Sequence, residues 1–215
     1  MFRLWSAVVA LLILTAVSAS TQTTPEEHLR QLVKAYAREH PGDPYLMLGP
    51  PGDYPSKTIA ELTQEAELVV LGRLSRVQTY VGSGSAIFSD YAIQNRRVLA
   101  GQSDTVIARS QLASVPLILT RYGGEMTIDG VQVRAERGDG SDIKEGQEYL
   151  MFLRPSRGGG VGRYESYGGA IFGVELGLIR PLIRNGDLAF PDGFDAPLAI
   201  VSGQIERAAK ARPKK

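Results

Sequence analysis

The sequence of residues 68–99 is LVVLGRLSRVQTYVGSGSAIFSDYAIQNRRVL, and this stretch decides the fold class. Its two halves, Leu68–Val81 and Ala86–Leu99, are rich in β-branched and aromatic residues, which favour strands. Gly82–Ser85 separates them with residue types that are typical of a connection between strands. One face of the second half carries Ile87, Tyr91 and Ile93. The stretch therefore predicts a long β-hairpin with a half-buried face.

Later segments predict further strands of the same sheet. Val115–Tyr122 alternates apolar residues, and Tyr149–Leu153 is continuously apolar, which is typical of a central strand. Arg163–Leu178 continues the sheet and is rich in glycine, which indicates bends or bulges. Asp129-Gly130 and Asn185-Gly186 are residue pairs that type I′ hairpin turns require.

These strands predict the fold class. Short strands joined by hairpins and punctuated by glycine are typical of a small β-barrel, closed or partly closed and antiparallel. No helical segment is predicted between Leu68 and Leu178, which disfavours a parallel α/β fold. We therefore expect a mainly β domain with flanking N- and C-terminal helices.

The helix before the β-rich region has a well-defined start. Thr24 is placed to cap it, Pro25 suits its first turn, and Glu27 has capping-box spacing. One apolar stripe of this helix is formed by Leu29, Leu32, Val33 and Tyr36. The helix is expected to end near His40.

Two more helices follow from the same signals. The segment Thr58–Glu67 predicts a short helix, with Thr58 and Glu61 at capping-box spacing. The last helix starts near Asp195 and carries an apolar side and a basic end. The apolar side is Leu198, Val201 and Ile205, and the basic end is Arg207, Lys210, Arg212, Lys214 and Lys215. These bases either complement the helix dipole or attract an anionic envelope surface.

The chain divides into five predicted regions. These are a signal peptide (1–19), an N-terminal helix (20–40), a Pro-rich linker (41–55), the β-barrel domain (56–194), and a C-terminal helix with a basic tail (195–215). The linker has prolines at five positions, which favours an extended, polyproline-like backbone rather than packed structure.

The first residues predict export. Arg3 supplies a positive charge, Ala7–Leu14 is an unbroken apolar run, and Val17-Ser18-Ala19 offers small residues for cleavage. The alternative is a membrane anchor, but the apolar stretch is shorter than the roughly 20 residues that span a bilayer. We expect cleavage near Ala19 and a secreted or periplasmic protein without a transmembrane anchor.

Charge and cysteine content exclude several functions. The chain has 24 lysines and arginines against 23 acids, and loss of Arg3 with the leader makes it neutral. A neutral exported domain has no general attraction for nucleic acid, so we expect no such partner. The chain contains no cysteine, which excludes thiol catalysis and cysteine-ligated metal sites.

Segments along the β-rich region resemble a known class of domains. The segments that carry the resemblance are Glu61–Arg73, Ser89–Ile93, Arg97–Gly101, Gly123–Glu125 and Glu145–Leu153. In that order they resemble small secreted bacterial domains that are similar to the netrin/TIMP-like OB barrels. The likeness covers about Thr58–Leu178, and it implies a fold rather than an activity.

This chain departs from that class in one decisive respect. Netrin and TIMP domains use disulfides, and inhibition by TIMPs depends on an N-terminal cysteine that binds the protease metal. A chain without cysteine cannot act in that way. No functional residue of the family maps onto this sequence.

Few residues suit catalysis or metal binding. The only histidines are His28 and His40, which lie on or at the end of the N-terminal helix and are expected to be solvated. Asp139, Asp142 and Glu145 form a small acidic cluster that suits either calcium or a solvated hairpin loop. We expect no cofactor, no metal and no catalytic residue to be identifiable from the sequence.

A candidate partner surface lies on two predicted loops. Gly82–Ser85 joins the first and second barrel strands, and Arg154–Gly162 joins the fourth and fifth, where OB barrels commonly bind ligands. The candidate partner-binding residues are Arg154, Arg157, Arg163, Tyr164 and Tyr167. The alternative is that these are flexible loops with ordinary solvated arginines.

The sequence thus favours an exported binding domain whose partner is an envelope or extracellular protein. One alternative is a carboxylate-based cell-envelope hydrolase, because acids are abundant although no spaced pair stands out. Another is a structural envelope protein held by its N-terminal arm and basic tail.

Overall fold

The structure is a computed structural model, and it describes residues 23–49, 57–101, 116–137, 143–156, 162–182 and 195–212. The predicted signal peptide (1–19) and the Asn185-Gly186 turn lie outside these ranges. Within them, no helix combines the length and the apolar character that crossing a bilayer requires.

The described part is mainly β, with a helix at each end, as the sequence predicts. The helices are α1 (Pro25–Glu39), α2 (Ile59–Glu65) and α3 (Leu198–Lys210). The longer strands are β2 (Leu68–Val81), β3 (Ile87–Gly101), β6 (Val131–Arg137), β7 (Glu148–Pro155) and β8 (Arg163–Glu175). The shorter strands are β1 (Tyr45–Gly49), β4 (Ile118–Tyr122), β5 (Gly124–Ile128), β9 (Leu178–Pro181) and β10 (Ala196–Pro197).

Five strands pair around a ring. β2 and β3 form the predicted hairpin, with a short 3₁₀ turn at Ser83–Ser85. β3 then pairs with β4, β2 pairs with β7, and β7 pairs with β8. The ring closes where β8 runs parallel to β4 through two residue pairs, Ile118 with Arg163 and Leu119 with Tyr164. The expectation of a wholly antiparallel sheet is therefore wrong at this closure.

A second sheet of three strands has the order β1-β6-β5. β5 and β6 form a hairpin through Asp129 and Gly130, whose φ angles of 48° and 83° confirm the predicted type I′ turn. β1 pairs with β6 in parallel, although the sequence assigned Tyr45–Gly49 to a polyproline-like linker. Packing explains the difference, because Tyr45 and Met47 contact the core under α1.

The side chains of β7 explain why its sequence is continuously apolar. Tyr149, Met151 and Leu153 belong to one core cluster, which also contains Leu119 of β4. The alternate residues Leu150 and Phe152 belong to another cluster, which contains residues of α2 and α3. β7 is therefore buried on both faces, as expected for a central strand.

The capping signals of α1 and α2 are confirmed, whereas α3 begins at Leu198, after the short strand Ala196–Pro197, and not near Asp195. The Thr24 side chain accepts a hydrogen bond from the Glu27 amide, and Thr58 and Glu61 form a complete capping box. At the basic end of α3, the Arg212 guanidinium donates to the carbonyl oxygens of Thr63 and Ala66. This arginine thus contacts the carbonyl end of α2 rather than that of its own helix, and it ties the two helices together.

Asp90 of β3 holds the ring together at its closure. Its carboxylate is fully buried and accepts from Gln78 Nε2 of β2 at 2.7 Å, Thr120 Oγ1 of β4 at 2.8 Å and Arg163 Nη1 of β8 at 2.6 Å. One side chain therefore joins four of the five ring strands. Burial acts to raise the pKa of Asp90, but these hydrogen bonds and the charge of Arg163 outweigh it and lower the pKa.

The substitution Asp90→Asn is expected to lower the free energy of unfolding by about 2 kcal/mol at neutral pH, since hydrogen bonds to a charged carboxylate are lost. Because the folded pKa of Asp90 lies below its ordinary value of 3.8, this stabilisation is present above that value and disappears as the pH falls through the folded pKa. The difference between wild type and variant should therefore shrink below about pH 4. Urea unfolding at a series of pH values measures both effects.

Asp129→Asn is the matched control. Asp129 lies on the exposed hairpin turn and forms ion pairs with Lys34 at 3.1 Å and Arg30 at 3.7 Å. Such pairs contribute little, so a change within about 0.5 kcal/mol is expected. If Asp90→Asn were as stable as the wild type at neutral pH, the role assigned to Asp90 would be wrong.

Candidate binding cleft

The structure does not bring the sequence-predicted partner residues into one exposed patch. Arg154 is exposed on β7, where its Nε lies 2.7 Å from Glu165 Oε1 of β8. Arg163 is bound to Asp90, and Tyr164 is buried in the core inside the ring. Arg157 and the side chain of Tyr167 lie outside the described part of the chain.

The expected loop between β7 and β8 is also shorter than predicted. Arg154 and Pro155 belong to β7, and Arg163 begins β8. Because Tyr164 is only 8% exposed, it cannot contact a partner while the ring is intact. A partner-binding role for Arg154 and Arg163 stays a prediction.

The other predicted loop, Gly82–Ser85, contacts α1 of the same chain. Ser85 is 5% exposed, and its Oγ lies 2.9 Å from Nδ1 of His28 on α1. His28 is exposed, as predicted, but it also forms this hydrogen bond with the loop. His40 is exposed as well and stacks on Tyr36 with ring centroids 4.5 Å apart.

A cleft of about 150 Å³ lies between the ring and the three-stranded sheet, and we call it the ring cleft. Its lining residues are Arg76, Tyr91, Arg121, Tyr122, Gly123, Gly124, Glu125, Arg134, Ala135, Glu136 and Ile143. Tyr91 belongs to the core inside the ring, and Arg121 lies two residues after Leu119 of that core on the same strand face. The cleft is thus an extension of the ring interior toward the surface.

Three arginines from three strands line the ring cleft. Arg121 of β4 is the most buried, at 9% exposure. Arg76 of β2 lies over the Tyr91 ring, 5.7 Å from its centroid, and its Nε lies 3.6 Å from Glu145. Arg76 and Arg134 are partly exposed, so Arg121 is the one buried arginine of this lining.

The acids of the ring cleft lie at its exposed side. Arg134 of β6 bridges Glu125 at 3.3 Å and Glu136 at 2.6 Å. Each of these glutamates is exposed by a third or more of its side chain, whereas Arg121 is buried. Arg121 is therefore the most buried charged side chain of the lining.

The charge of Arg121 affects the pKa of Tyr149, a tyrosine inside the ring. Burial raises the pKa of Tyr149, and a hydrogen bond from the Lys144 amide and the charge of Arg121 partly offset this rise. The Tyr149 hydroxyl accepts from the Lys144 amide at 2.8 Å. Burial likewise raises the pKa of Tyr122, so both phenols are neutral near pH 7.

Two close backbone approaches position the cleft. β4 passes directly into β5 at Gly123 and Gly124, whose φ angles are 107° and 136°. A side chain at Gly124 would meet Ser89 Oγ, and one at Gly49 would meet the ring of Tyr122. Because only glycine fits at these points, the three-stranded sheet packs tightly against the ring.

The structure describes some of the residue types that suit metal binding or acid–base chemistry. Among them, no group of three or more His, Asp or Glu side chains is placed to hold a metal ion. Glu145 of the acidic cluster is paired with Arg76, while Asp139 and Asp142 lie outside the described ranges. The pKa of Asp90 is lowered, as is that of Glu61 through its hydrogen bonds with Thr58.

Comparison with protein families, curated proteins and solved structures finds no match to this chain. The ring cleft must therefore be interpreted from its own geometry. The sequence did not identify Arg76, Arg121 or Arg134 as site residues, because they are spread over three strands. In the sequence, the adjacent pair Gly123-Gly124 follows a predicted strand, and this pair indicates an abrupt turn next to the cleft.

Gly49→Ala is expected to destabilise the protein by about 2 kcal/mol, because its Cβ would lie 2.2 Å from Cε1 of Tyr122. Either β1 or the Tyr122 ring must then move, which distorts the ring cleft. Urea unfolding gives the stability, and near-ultraviolet circular dichroism reports the tyrosine environment.

Gly203→Ala serves as the control. Gly203 lies within α3, and the nearest atom to an added Cβ is 3.5 Å away. Alanine is the better helix former, so a gain of about 0.5–1 kcal/mol is expected. A Gly49→Ala protein with wild-type stability and spectrum would contradict the close contact.

Proposed function

We propose that this protein is an exported protein-binding module that receives an acidic side chain of its partner in the ring cleft. The observation that carries the proposal is the convergence of Arg76, Arg121 and Arg134 on one small cleft. Export rests on the predicted leader at 1–19. The partner is then an envelope or extracellular protein.

The size of the cleft favours a side chain over a free small molecule. Sites for small molecules typically enclose 300–1,000 Å³. The ring cleft, at about 150 Å³, has room for about five water molecules or one side chain. A protein partner that inserts one residue fits this volume.

The composition of the lining favours recognition of a carboxylate. Arginine forms bidentate hydrogen bonds with carboxylates, and arginine and tyrosine are enriched among residues that dominate binding energy. Tyr91 and Tyr122 line the cleft together with Arg121. Glu125 and Glu136 are paired with Arg134, and Arg121 is the most buried arginine of the lining.

We also propose that the ring is an OB-like barrel of the netrin/TIMP-like kind. Five strands pair around it, and its second and third strands in chain order are β3 and β4. In OB folds the face of the second and third strands takes part in binding. Tyr91, Arg121 and Tyr122 lie on these two strands, which supports the same site.

The experiment is affinity capture with the full chain as bait and an envelope extract, followed by affinity measurements on the partner identified. Arg121→Lys keeps the charge but removes bidentate binding, and Arg134→Ala alters the rim. Each is expected to weaken binding about tenfold. The control Arg180→Ala removes an exposed, ion-paired arginine outside the cleft and should leave affinity unchanged. Arg154→Ala tests the loop surface that the sequence predicts.

The proposal fails if both cleft variants bind the partner as tightly as the wild type, or if Arg154→Ala alone abolishes binding. Circular dichroism of each variant shows that loss of binding is not loss of folding. Release of a hydrolysis product from the captured partner would instead favour the carboxylate-based hydrolase.

A further inference from the structure

Strand β1 differs from the two strands beside it in the side chains that it exposes. Tyr45–Gly49 has the sequence YLMLG, so four apolar side chains follow one another along the strand. Successive side chains of a strand point to opposite faces of the sheet. Tyr45 and Met47 pack against the core under α1. The opposite face therefore carries Leu46 and Leu48, which are 52% and 71% exposed.

The same face of the neighbouring strands is polar. Leu46 lies opposite Arg134 of β6 in the parallel ladder, and Leu48 lies opposite Glu136. On the other side of β6, Glu125 of β5 lies opposite Arg134. The packing of this sheet on α1 thus does not account for the two leucines. Adjacent exposed apolar side chains on an otherwise polar face are typical of an interaction surface.

This face is also a wall of the ring cleft. Glu125, Arg134 and Glu136 all line the cleft. Neighbouring strands lie about 4.8 Å apart, so Leu46 and Leu48 lie one strand away from lining residues. We call these two residues the leucine pair. The leucine pair therefore continues the surface of the ring cleft across β6.

The two parts of this surface differ in what they can bind. The ring cleft carries charged side chains and has room for one side chain of a partner. The rest of a partner segment must then lie on the surface around the cleft, and the leucine pair offers uncharged apolar area there. Protein interfaces combine such apolar area, whose burial gives affinity, with polar groups that fix the orientation.

We propose that the leucine pair binds an apolar side chain of the same extended partner segment whose acidic side chain enters the ring cleft. This inference rests on the function proposed for the ring cleft. It narrows the partner to a protein segment in which one or two residues separate the acid from the apolar residue. In an extended chain these spacings are about 6.6 and 10 Å, comparable to one or two strand spacings of the sheet.

The test uses a fluorescent peptide, Gly-Ser-Glu-Gly-Leu-Ser-Gly, titrated against the full chain. We expect saturable binding by fluorescence anisotropy. A peptide with serine in place of leucine should bind about tenfold more weakly, because the burial of a leucine side chain is lost. A peptide with glutamine in place of glutamate should also bind more weakly, because the arginines of the cleft then face no charge.

Variants of the leucine pair test the protein side of the contact. Leu46→Thr and Leu48→Thr keep a residue that favours strands but remove apolar area. Together they should weaken binding of the leucine peptide about tenfold and leave binding of the serine peptide unchanged. The control Ile200→Thr removes a side chain of α3 that is 57% exposed and lies outside the cleft lining, and it should bind as the wild type does.

The two proposals fail in different ways. Equal affinities of the leucine and serine peptides, with the need for glutamate retained, would overturn the role of the leucine pair and leave the ring cleft standing. Equal affinities of the glutamate and glutamine peptides would instead contradict the ring cleft as a carboxylate site. If no peptide binds at up to 10 mM, the leucine pair is not a site for such a segment, and envelope capture with the cleft variants still tests the cleft.

Two further measurements can assign the leucine pair to another occupant. The threonine variants should keep the urea midpoint of the wild type, and a clearly lowered midpoint would overturn the proposal, because the leucines would then pack within the chain itself. Sedimentation of the wild type should show a monomer. A dimer that the threonine variants abolish would assign the leucine pair to a second copy and overturn the proposal as well.

Discussion

The buried carboxylate of Asp90 is the constraint on which the ring depends. The pairing of β4 with β8 extends over only two residue pairs, so the ladder alone is a weak closure. Asp90 adds hydrogen bonds to Gln78, Thr120 and Arg163 at this point. An uncompensated charge in the core would cost several kcal/mol, so the carboxylate requires these partners to stay where they are.

The residues that close the ring also determine the geometry of the ring cleft. Thr120, held by Asp90, immediately precedes Arg121 and Tyr122, which line the cleft. Two residues further on, Gly124 brings the three-stranded sheet against Ser89, the neighbour of Asp90 on β3. The cations of the cleft are therefore placed by the same few residues that close the ring.

The features that the sequence predicted correctly depend on interactions between residues that are close along the chain. The Thr58–Glu61 capping box and the Asp129-Gly130 turn depend on residues within four positions, and both are confirmed. Pairing of Tyr45–Gly49 with Val131–Arg137, in contrast, joins segments more than 80 residues apart. The burial of Tyr164 depends likewise on pairing between strands that are distant in sequence, as does the presence of Arg76 and Arg121 in one cleft. No local sequence pattern indicated either feature.

The most direct test of this account is a double-mutant cycle on Asp90 and Arg163. Asp90→Asn, Arg163→Met and the double variant are unfolded in urea at neutral pH, together with the wild type. The account predicts a coupling free energy of about 1–3 kcal/mol between the two side chains. Effects that add to within about 0.5 kcal/mol would contradict it, because the ring would then close without this interaction.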